Sequence, residues 1–262
     1  MRIVRYTTGG GARVGVLQDD GTIRDAGTSI FTAEPREGEI GKAKLLAPVE
    51  SPGKILCIGL NYRKHAEESG GAPPPTPILF AKYGNSIVGP GANIVIPPIT
   101  EKVDYEAELG VVIAKRASAV SVDDALSYVL GYTCINDVSA RDLQFADSQW
   151  TRGKTLDTFC PIGPCIVTTD EIGDPQTLGI RCRVNGETLQ DSNTSDMIFS
   201  VAEIISFLSQ GITLEPGDVI ATGTPEGVGF ARDPSIYLKP GDVVDVDIDR
   251  IGTLSNPVVA RS

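Results

Sequence analysis

Histidine is scarce in this sequence, and the patterns that bind zinc are missing. His65 is the only histidine among 262 residues, and the five cysteines, at positions 57, 134, 160, 165 and 182, form no CxxC pair. Structural zinc centres use four Cys or His ligands at short spacings, so neither a zinc finger nor a disulfide framework is expected. An odd number of unpaired cysteines is typical of buried, reduced thiols and predicts a cytoplasmic protein.

Long apolar runs and positive charge are also lacking. No apolar stretch approaches the ~20 residues that cross a bilayer, and the start, MRIVRYTTGGGARVGV, does not have the apolar core of a signal peptide. The formal net charge is -11, whereas nucleic-acid binders carry clustered positive charge. We therefore expect no membrane partner and no nucleic-acid partner, and a small metabolite as the ligand.

Glycine and proline, by contrast, are abundant, with 29 and 18 copies. Tight turns use these residues, so the composition predicts a β-rich α+β fold. Strand patterns around the hairpin signal Asp20-Gly21 predict a small N-terminal β subdomain at residues 1–50, followed by the main domain at 51–262. Matching turns are predicted at EPGD (215–218) and KPGD (239–242), and a helix at SVAEIISFLSQ.

Three acidic residues stand beside strand patterns in the main domain. Glu106 and Glu108 are two positions apart in a β-like segment, so their carboxylates share one face. Asp137 ends another apolar strand. An isolated ExE pair is usually two solvated glutamates. If the three acids converge, however, a cation must relieve their repulsion, and oxygen-only ligands select Mg²⁺ or Mn²⁺, with Ca²⁺ as a further candidate.

Basic and amide side chains follow these acids. A helix that starts after Asp137 would place Arg141 and Gln144 on its face, where Arg141 could bind a carboxylate through two parallel hydrogen bonds. Lys154 lies in the Gly- and Thr-rich segment TRGKT. Without the acids beside them, these bases are as easily explained as surface charges.

Five ordered segments resemble the fumarylacetoacetate hydrolase superfamily: DYEAELG, NDVSARDLQ, RGKTLDTFCPIGP, NTSDMIFSVAEIISFLS and LEPGDVIATGTPEGVG. The resemblance runs from about residue 54 to the end. It implies a mixed β-roll with a Mg²⁺ or Mn²⁺ site whose ligands match Glu106, Glu108 and Asp137. It also implies that Arg141, Gln144, Lys154 and Thr224 hold the substrate, and by analogy a homodimer.

The single histidine gains a role from the same resemblance. A lone histidine is most often a surface or structural residue, but NYRKHAEE is similar to the lid helix of the branch that contains acylpyruvate hydrolases, oxaloacetate decarboxylases and 2-hydroxyhepta-2,4-diene-1,7-dioate isomerases. There His65 and Glu68 match a catalytic pair. Residues three apart on a helix are neighbours, so Glu68 could orient the imidazole and raise its basicity, while Glu67 faces solvent.

These features favour a metal-dependent hydrolase that cleaves acylpyruvate-type 2,4-dioxo acids to pyruvate and a carboxylic acid. His65 would then activate water, and Lys154 would stabilise the oxyanion. One alternative uses the same enolate chemistry without water, as a decarboxylase of oxaloacetate-like acids or an isomerase or hydratase of hydroxymuconate-type diacids in aromatic catabolism. A binding scaffold without turnover is the third hypothesis.

Overall fold

A computed structural model of the protein describes residues 1–41 and 43–261. Its strands are β1 Arg2–Thr7, β2 Arg13–Leu17, β3 Ile23–Gly27, β4 Glu39–Ile40, β5 Lys44–Leu46, β6 Ile55–Gly59, β7 Ile78–Lys82, β8 Ile87–Val88, β9 Ile94–Ile96, β10 Val103–Asp104, β11 Ala107–Ile113, β12 Val129–Asn136, β13 Ser139–Ala140, β14 Cys160–Thr168, β15 Gly179–Val184, β16 Glu187–Asn193, β17 Val219–Ala221, β18 Val243–Ile248 and β19 Gly252–Ala260. Its α-helices are α1 Arg63–Glu68, α2 Val122–Ala125, α3 Arg141–Gln144, α4 Thr151–Lys154, α5 Thr169–Ile172 and α6 Val201–Ser209. Short 3-10 turns lie at Ile30–Thr32, Gly84–Ser86, Leu126–Tyr128, Pro175–Thr177, Thr194–Asp196 and Gly229–Ala231. None of these described helices is long and apolar enough to cross a membrane.

The strands form one large mixed sheet and two smaller ones. The large sheet has the order β4-β3-β2-β1-β14-β12-β11-β17-β6-β7, with β5 beside β1 and β8 beside β14. A five-stranded sheet has the order β16-β15-β18-β19-β9, and β10 pairs with β13 alone. Most of the described pairs are antiparallel, but β6 and β17, β8 and β14, and β9 and β19 run parallel. The predicted β-rich α+β class is confirmed.

The centre of the large sheet is apolar on both faces. Every residue of β11, AELGVVI, is buried, which explains why this segment is a nearly continuous apolar run. Leu109 and Val111 pack in one cluster with Val246 of the smaller sheet, while Val112 packs on the opposite side with Ile135. Burying such side chains contributes about 1.5–3 kcal/mol each. The two layers therefore hold the ends of β11 and β12 rigidly.

Local signals in the sequence are found where they were expected. The hairpin at Asp20-Gly21 joins β2 to β3, and Ser200 with Glu203 forms a capping box at the start of α6. In the two matching turns, the carboxylate of Asp218 accepts the Glu215 N–H at 2.7 Å, and that of Asp242 accepts the Lys239 N–H at 2.7 Å. All five cysteines are buried and free, as the odd number predicted.

The N-terminal strands extend the large sheet. Strand β1 pairs with β14, with Arg2 opposite Val167. It also pairs with β2 and with β5. The N-terminal β structure is therefore continuous with the main sheet. The division into residues 1–50 and 51–262 stays a prediction.

The prediction that a helix starts directly after Asp137 is wrong. The chain first forms β13, whose Ser139 pairs with Asp104 of β10, and α3 begins only at Arg141. Pairing with β10 satisfies the backbone groups of residues 139–140, so an extended conformation wins over the helix. Arg141 and Gln144 are still neighbours within α3, three positions apart.

Candidate active site

Three buried carboxylates meet where β11 begins and β12 ends. Carboxylate oxygens of Glu106, Glu108 and Asp137 lie within 4.8 Å of one another, and these residues are only 5%, 1% and 0% exposed. The register of β11 on β12 brings them together, because Ala107 is opposite Asn136. The Asp137 N–H donates to the Glu106 carbonyl at 2.9 Å, and the Glu106 N–H donates to Asn136 Oδ1 at 3.1 Å.

Three buried cations surround two of these acids. Lys154 Nζ, at the end of α4, lies 2.7 Å from Glu106 Oε2 and 2.8 Å from Asp137 Oδ2. Lys82 Nζ lies 2.5 Å from Asp137 Oδ1 and donates to the Val138 carbonyl at 3.1 Å. Arg141 Nη2 lies 2.6 Å from Glu106 Oε1. Burial lowers the pKa of Lys154, but Asp137 and Glu106 outweigh it and raise the pKa, so this ammonium stays charged.

Glu108 has no such cationic partner among the described residues. Its Oε2 accepts the Gly223 N–H at 2.9 Å. Burial, with Asp137 and Glu106 nearby, raises the pKa of Glu108 well above its usual value. Burial also raises the pKa of Glu106, but Lys154 and Arg141 outweigh it and lower that pKa to about 2. The two glutamates are therefore in opposite electrostatic situations.

The charge balance fits a divalent cation. Four buried acids, Asp104, Glu106, Glu108 and Asp137, face three buried bases, Lys82, Arg141 and Lys154. The unmatched negative charge is at Glu108, inside the group of three converging carboxylates. Oxygen-only donors of this kind suit a hard divalent ion, and a charge placed there would relieve the repulsion that now raises the pKa of Glu108.

Three further groups hold Arg141 besides Glu106. Its Nε donates to Asp104 Oδ2 at 2.8 Å and its Nη1 donates to Gln144 Oε1 at 2.9 Å, while its Cζ lies 4.5 Å from the centre of the Phe230 ring. Asp104 is fully buried and also accepts the Gly229 N–H at 2.8 Å and the Phe230 N–H at 3.0 Å. Asp104 thus joins the guanidinium to the loop that carries Phe230.

Helix α1, which the resemblance predicts to be a lid, lies against the same cavity. His65 is 5% exposed, and its Nδ1 lies 2.7 Å from Glu68 Oε1. The Glu68 carboxylate also accepts the Gly227 N–H, at 2.9 Å to Oε2. Gly227 has φ +94°, which other residues rarely adopt. Arg63 donates to the Met197 carbonyl at 2.6 Å. The lid is therefore fastened at both ends by polar contacts, and Glu67 is exposed as expected.

These groups line one cavity of about 190 Å³, several times the ~30 Å³ that one liquid water occupies. Its polar wall contains His65, Glu106, Glu108, Arg141, Gln144, Lys154 and Thr224. Its apolar wall contains Ile58, Leu60, Phe80, Phe145, Trp150 and Phe230. Seven of the nine site residues expected from the sequence thus line this cavity. The other two, Glu68 and Asp137, each contact a lining residue, His65 and Lys154 respectively.

Two charged residues of the site were not predicted. Lys82 ends the apolar strand pattern ILFAK, and a lysine within a buried strand is rare unless it is paired. Asp104 stands directly before Tyr105 and Glu106, and no local pattern distinguishes it from a solvated acid. Their partners are far away in sequence, 55 positions for Lys82 and Asp137 and 37 for Asp104 and Arg141.

Comparison with known proteins identifies the family. The family model for the fumarylacetoacetate (FAA) hydrolase C-terminal domain matches residues 54–259. The chain belongs to the fumarylacetoacetate hydrolase family. A second model, described as Rv2993c-like, N-terminal, matches residues 1–48. The chain is 52% identical over 217 residues to the mitochondrial oxaloacetate tautomerase fahd2 of Xenopus laevis. The alignment covers 82% of this chain and 68% of the relative.

Solved structures of fumarylacetoacetate hydrolase family members agree with this assignment. A fumarylacetoacetate hydrolase from Exiguobacterium antarcticum has a TM-score of 0.91 and 40% identity over 100% of both chains. A 2-hydroxyhepta-2,4-diene-1,7-dioate isomerase from Mycobacterium marinum has a TM-score of 0.88 and 39% identity, covering 100% of this chain and 99% of its own. The protein is therefore an enzyme of this family, and the similar proteins include a tautomerase and an isomerase.

Proposed function

We propose that this enzyme interconverts the keto and enol forms of oxaloacetate and similar short 2-oxo diacids. One observation carries the proposal: His65, paired with Glu68, lines the same small cavity as Glu106 and Glu108 of the buried triad. The similar proteins named as an oxaloacetate tautomerase and a dienedioate isomerase support the same reaction class. They favour the enolate-based alternative over the carbon–carbon hydrolysis that the sequence first indicated.

The triad is suited to Mg²⁺ or Mn²⁺ as the cofactor, with Ca²⁺ as a further candidate, because its donors are oxygens only. When bound, such a cation would polarise the 2-oxo group and stabilise negative charge on it. Lys154 would hold Glu106 and Asp137 in place and add positive charge at the same wall. Arg141, Gln144 and Thr224 would bind the substrate carboxylate, since each can present a donor to the cavity.

Proton transfer is assigned to His65. Its Nδ1 faces Glu68, which leaves Nε2 for the cavity that His65 lines. In the keto-to-enol direction, Nε2 takes a proton from C3 of the substrate, and the C–H electron pair becomes the C2–C3 double bond. The C2=O π pair moves onto the 2-oxygen, which receives the proton back from Nε2, so that His65 is restored and no atom is gained or lost. A positioned general base of this kind contributes about 10²–10⁴-fold to rate.

Hydrolysis of acylpyruvates stays as a second candidate because of the apolar wall. Ile58, Phe80 and Trp150 give the cavity a large apolar lining beside its charged groups. Among the described lining residues the permanent cations are Arg141 and Lys154, and both are engaged by acids. An apolar acyl group would fit this wall better than a distant second carboxylate. His65 would then take its proton from water.

One panel of assays separates these reactions. The Mg²⁺-loaded protein is mixed with oxaloacetate, and the enol absorbance and pyruvate release are followed together. Accelerated loss of enol without pyruvate supports the tautomerase, pyruvate from oxaloacetate indicates a decarboxylase, and pyruvate from an acylpyruvate indicates the hydrolase. The Glu108→Gln variant is the control for metal-dependent turnover. An enol-to-keto rate equal to that of buffer with Mg²⁺ alone would contradict the proposal.

The remaining expectations concern partners and place. A small 2-oxo acid as ligand agrees with the cavity volume, and the net charge of -11 disfavours nucleic acid. A homodimer and a cytoplasmic location stay part of the proposal, the latter supported by five free, buried cysteines. Gel filtration with light scattering would test the dimer.

A further inference from the structure

Gln190 connects the metal-binding strand to the loop that carries Thr224. This residue of β16 is 1% exposed. Its Oε1 accepts the Ala107 N–H at 2.9 Å, and Ala107 lies between Glu106 and Glu108. Its Nε2 donates to Thr224 Oγ1 at 2.8 Å and to the Pro225 carbonyl at 2.9 Å. One amide thus uses its oxygen and both its hydrogens.

The orientation of this amide follows from its partners. The Ala107 N–H can only donate, and the Pro225 carbonyl can only accept. The amide oxygen must therefore face Ala107, and the amide nitrogen must face Pro225 and Thr224. A flipped amide would place two donors together at Ala107 and two acceptors together at Pro225, which is strongly unfavourable in a buried site.

The orientation of the Thr224 hydroxyl follows in turn. An amide nitrogen cannot accept a hydrogen bond, so Thr224 Oγ1 is the acceptor in this contact. Its own hydrogen must point elsewhere, and no acceptor for it is found among residues 1–41 and 43–261. Thr224 lines the cavity and is 3% exposed. We infer that Gln190 is a positioning residue that makes Thr224 a hydrogen-bond donor to the substrate.

This inference deepens the proposed function, on which it rests, because it defines which kind of ligand atom Thr224 can bind, namely a hydrogen-bond acceptor. Gln144 behaves alike: its Oε1 accepts from Arg141, so its amide hydrogens are the part left for the cavity. The wall then presents donors from Thr224, Gln144 and Arg141. A carboxylate or enolate oxygen satisfies them, whereas an alcohol or amine hydrogen at the same position would meet another donor.

The test is oxalate binding to the Mn²⁺-loaded protein, measured by calorimetry. In Gln190→Glu at pH 8, the introduced carboxylate accepts from Thr224 and turns its hydrogen away from the ligand. We expect oxalate affinity to fall about 10- to 100-fold, the value of a hydrogen bond to a charged group. Gln190→Met has similar size and leaves Thr224 free to donate, so its loss should be smaller. Both variants should keep Mn²⁺ affinity within about threefold.

A pH series separates hydrogen-bond direction from simple charge repulsion. Affinities are divided by those of the unmodified protein at each pH. As the introduced carboxyl of Gln190→Glu is protonated, it becomes a donor toward Thr224, and the relative affinity should recover. In the double variant Gln190→Glu/Thr224→Val, which lacks the hydroxyl, the recovery should vanish. Gln210→Glu, at an exposed position, is the control for adding a charge.

Three results would overturn the inference. A loss in Gln190→Met as large as in Gln190→Glu would make Gln190 a purely structural residue. Recovery of oxalate affinity at low pH in the double variant would show that charge, and not the direction of the Thr224 hydrogen bond, causes the loss of affinity. Failure of the unmodified Mn²⁺-loaded protein to bind oxalate would remove the anion site itself. Oxalate binding without oxaloacetate tautomerisation would instead contradict the proposed function alone, and the binding series would still decide the role of Gln190.

Discussion

Replacing Lys82 by methionine should destabilise the metal-free protein strongly, although the side-chain volume is nearly kept. The Lys82 and Asp137 side chains are both 0% exposed and their charged atoms lie 2.5 Å apart. Removing one member of a buried pair costs about 3–5 kcal/mol, because the other charge is left buried without compensation. Lys154 still contacts the second oxygen of Asp137, so we expect the lower end, about 3 kcal/mol.

That loss is large enough to measure by thermal unfolding. For a domain of this size, 1 kcal/mol corresponds to about 2–4 °C in Tm, so Lys82→Met should lower Tm by about 6–12 °C in the presence of a chelator. Adding Mg²⁺ should raise the Tm of the variant more than that of the unmodified protein, because the cation replaces positive charge beside Asp137.

The matched control is Arg116→Met. Arg116 lies 3.4 Å from Glu215, but the two side chains are 66% and 50% exposed, and such pairs contribute about 0–1 kcal/mol. The Tm of Arg116→Met should therefore fall by less than about 4 °C. A Lys82→Met protein with a Tm no lower than that of the control would refute the view that Asp137 depends on this buried pair.

Three further predictions concern the metal site and the lid. Burial, Asp137 and Glu106 raise the pKa of Glu108 in the folded protein, so the free energy of unfolding of the metal-free protein should fall as pH rises above ~4.3, the pKa of an unfolded glutamate. Urea titrations in chelator between pH 5 and 8 should show a weaker dependence of this free energy on pH in Glu108→Gln. An equal pH dependence in the two proteins would contradict this. His65→Ala should lose about 10²–10⁴-fold in tautomerisation while oxalate affinity at saturating Mn²⁺ changes less than about threefold, and turnover near the unmodified rate would exclude His65 as the base. Glu68→Gln should increase hydrogen exchange at residues 62–72 and reduce turnover less than His65→Ala does. Glu67→Gln, at an exposed position, should leave both exchange and turnover unchanged. Equal exchange in the two variants would show that Glu68 does not hold helix α1 in place.

Features that depend on local chemistry were predictable from the sequence. The Asp20-Gly21 hairpin and the EPGD and KPGD turns are specified by residues within four positions of each other. The two-residue spacing of Glu106 and Glu108 placed both carboxylates on one side of the chain, and the apolar run that follows them marked a buried strand.

Features that depend on distant pairing were not predictable in this way. The segment after Asp137 has the composition of a helix start, yet β10 competes for its backbone and makes β13. The roles of Lys82 and Asp104 depend on which acids and bases the sheet brings within 3 Å of them. The donor state of Thr224 depends on Gln190, 34 positions earlier. No local pattern records any of these partners.

The parallel pairing of β6 with β17 also determines when the cavity can form during synthesis. Asn61, just after β6, donates to the Thr222 carbonyl at 2.7 Å across 161 positions of sequence. At about 5–20 residues per second, a ribosome needs roughly 8–30 s to make that intervening chain. During this time the β17-facing edge of β6 has no native partner, and such edges can pair with other chains. A nascent chain that ends before residue 219 would already contain helix α1 and both glutamates, but it would expose an unpaired, aggregation-prone strand edge in place of a complete active site.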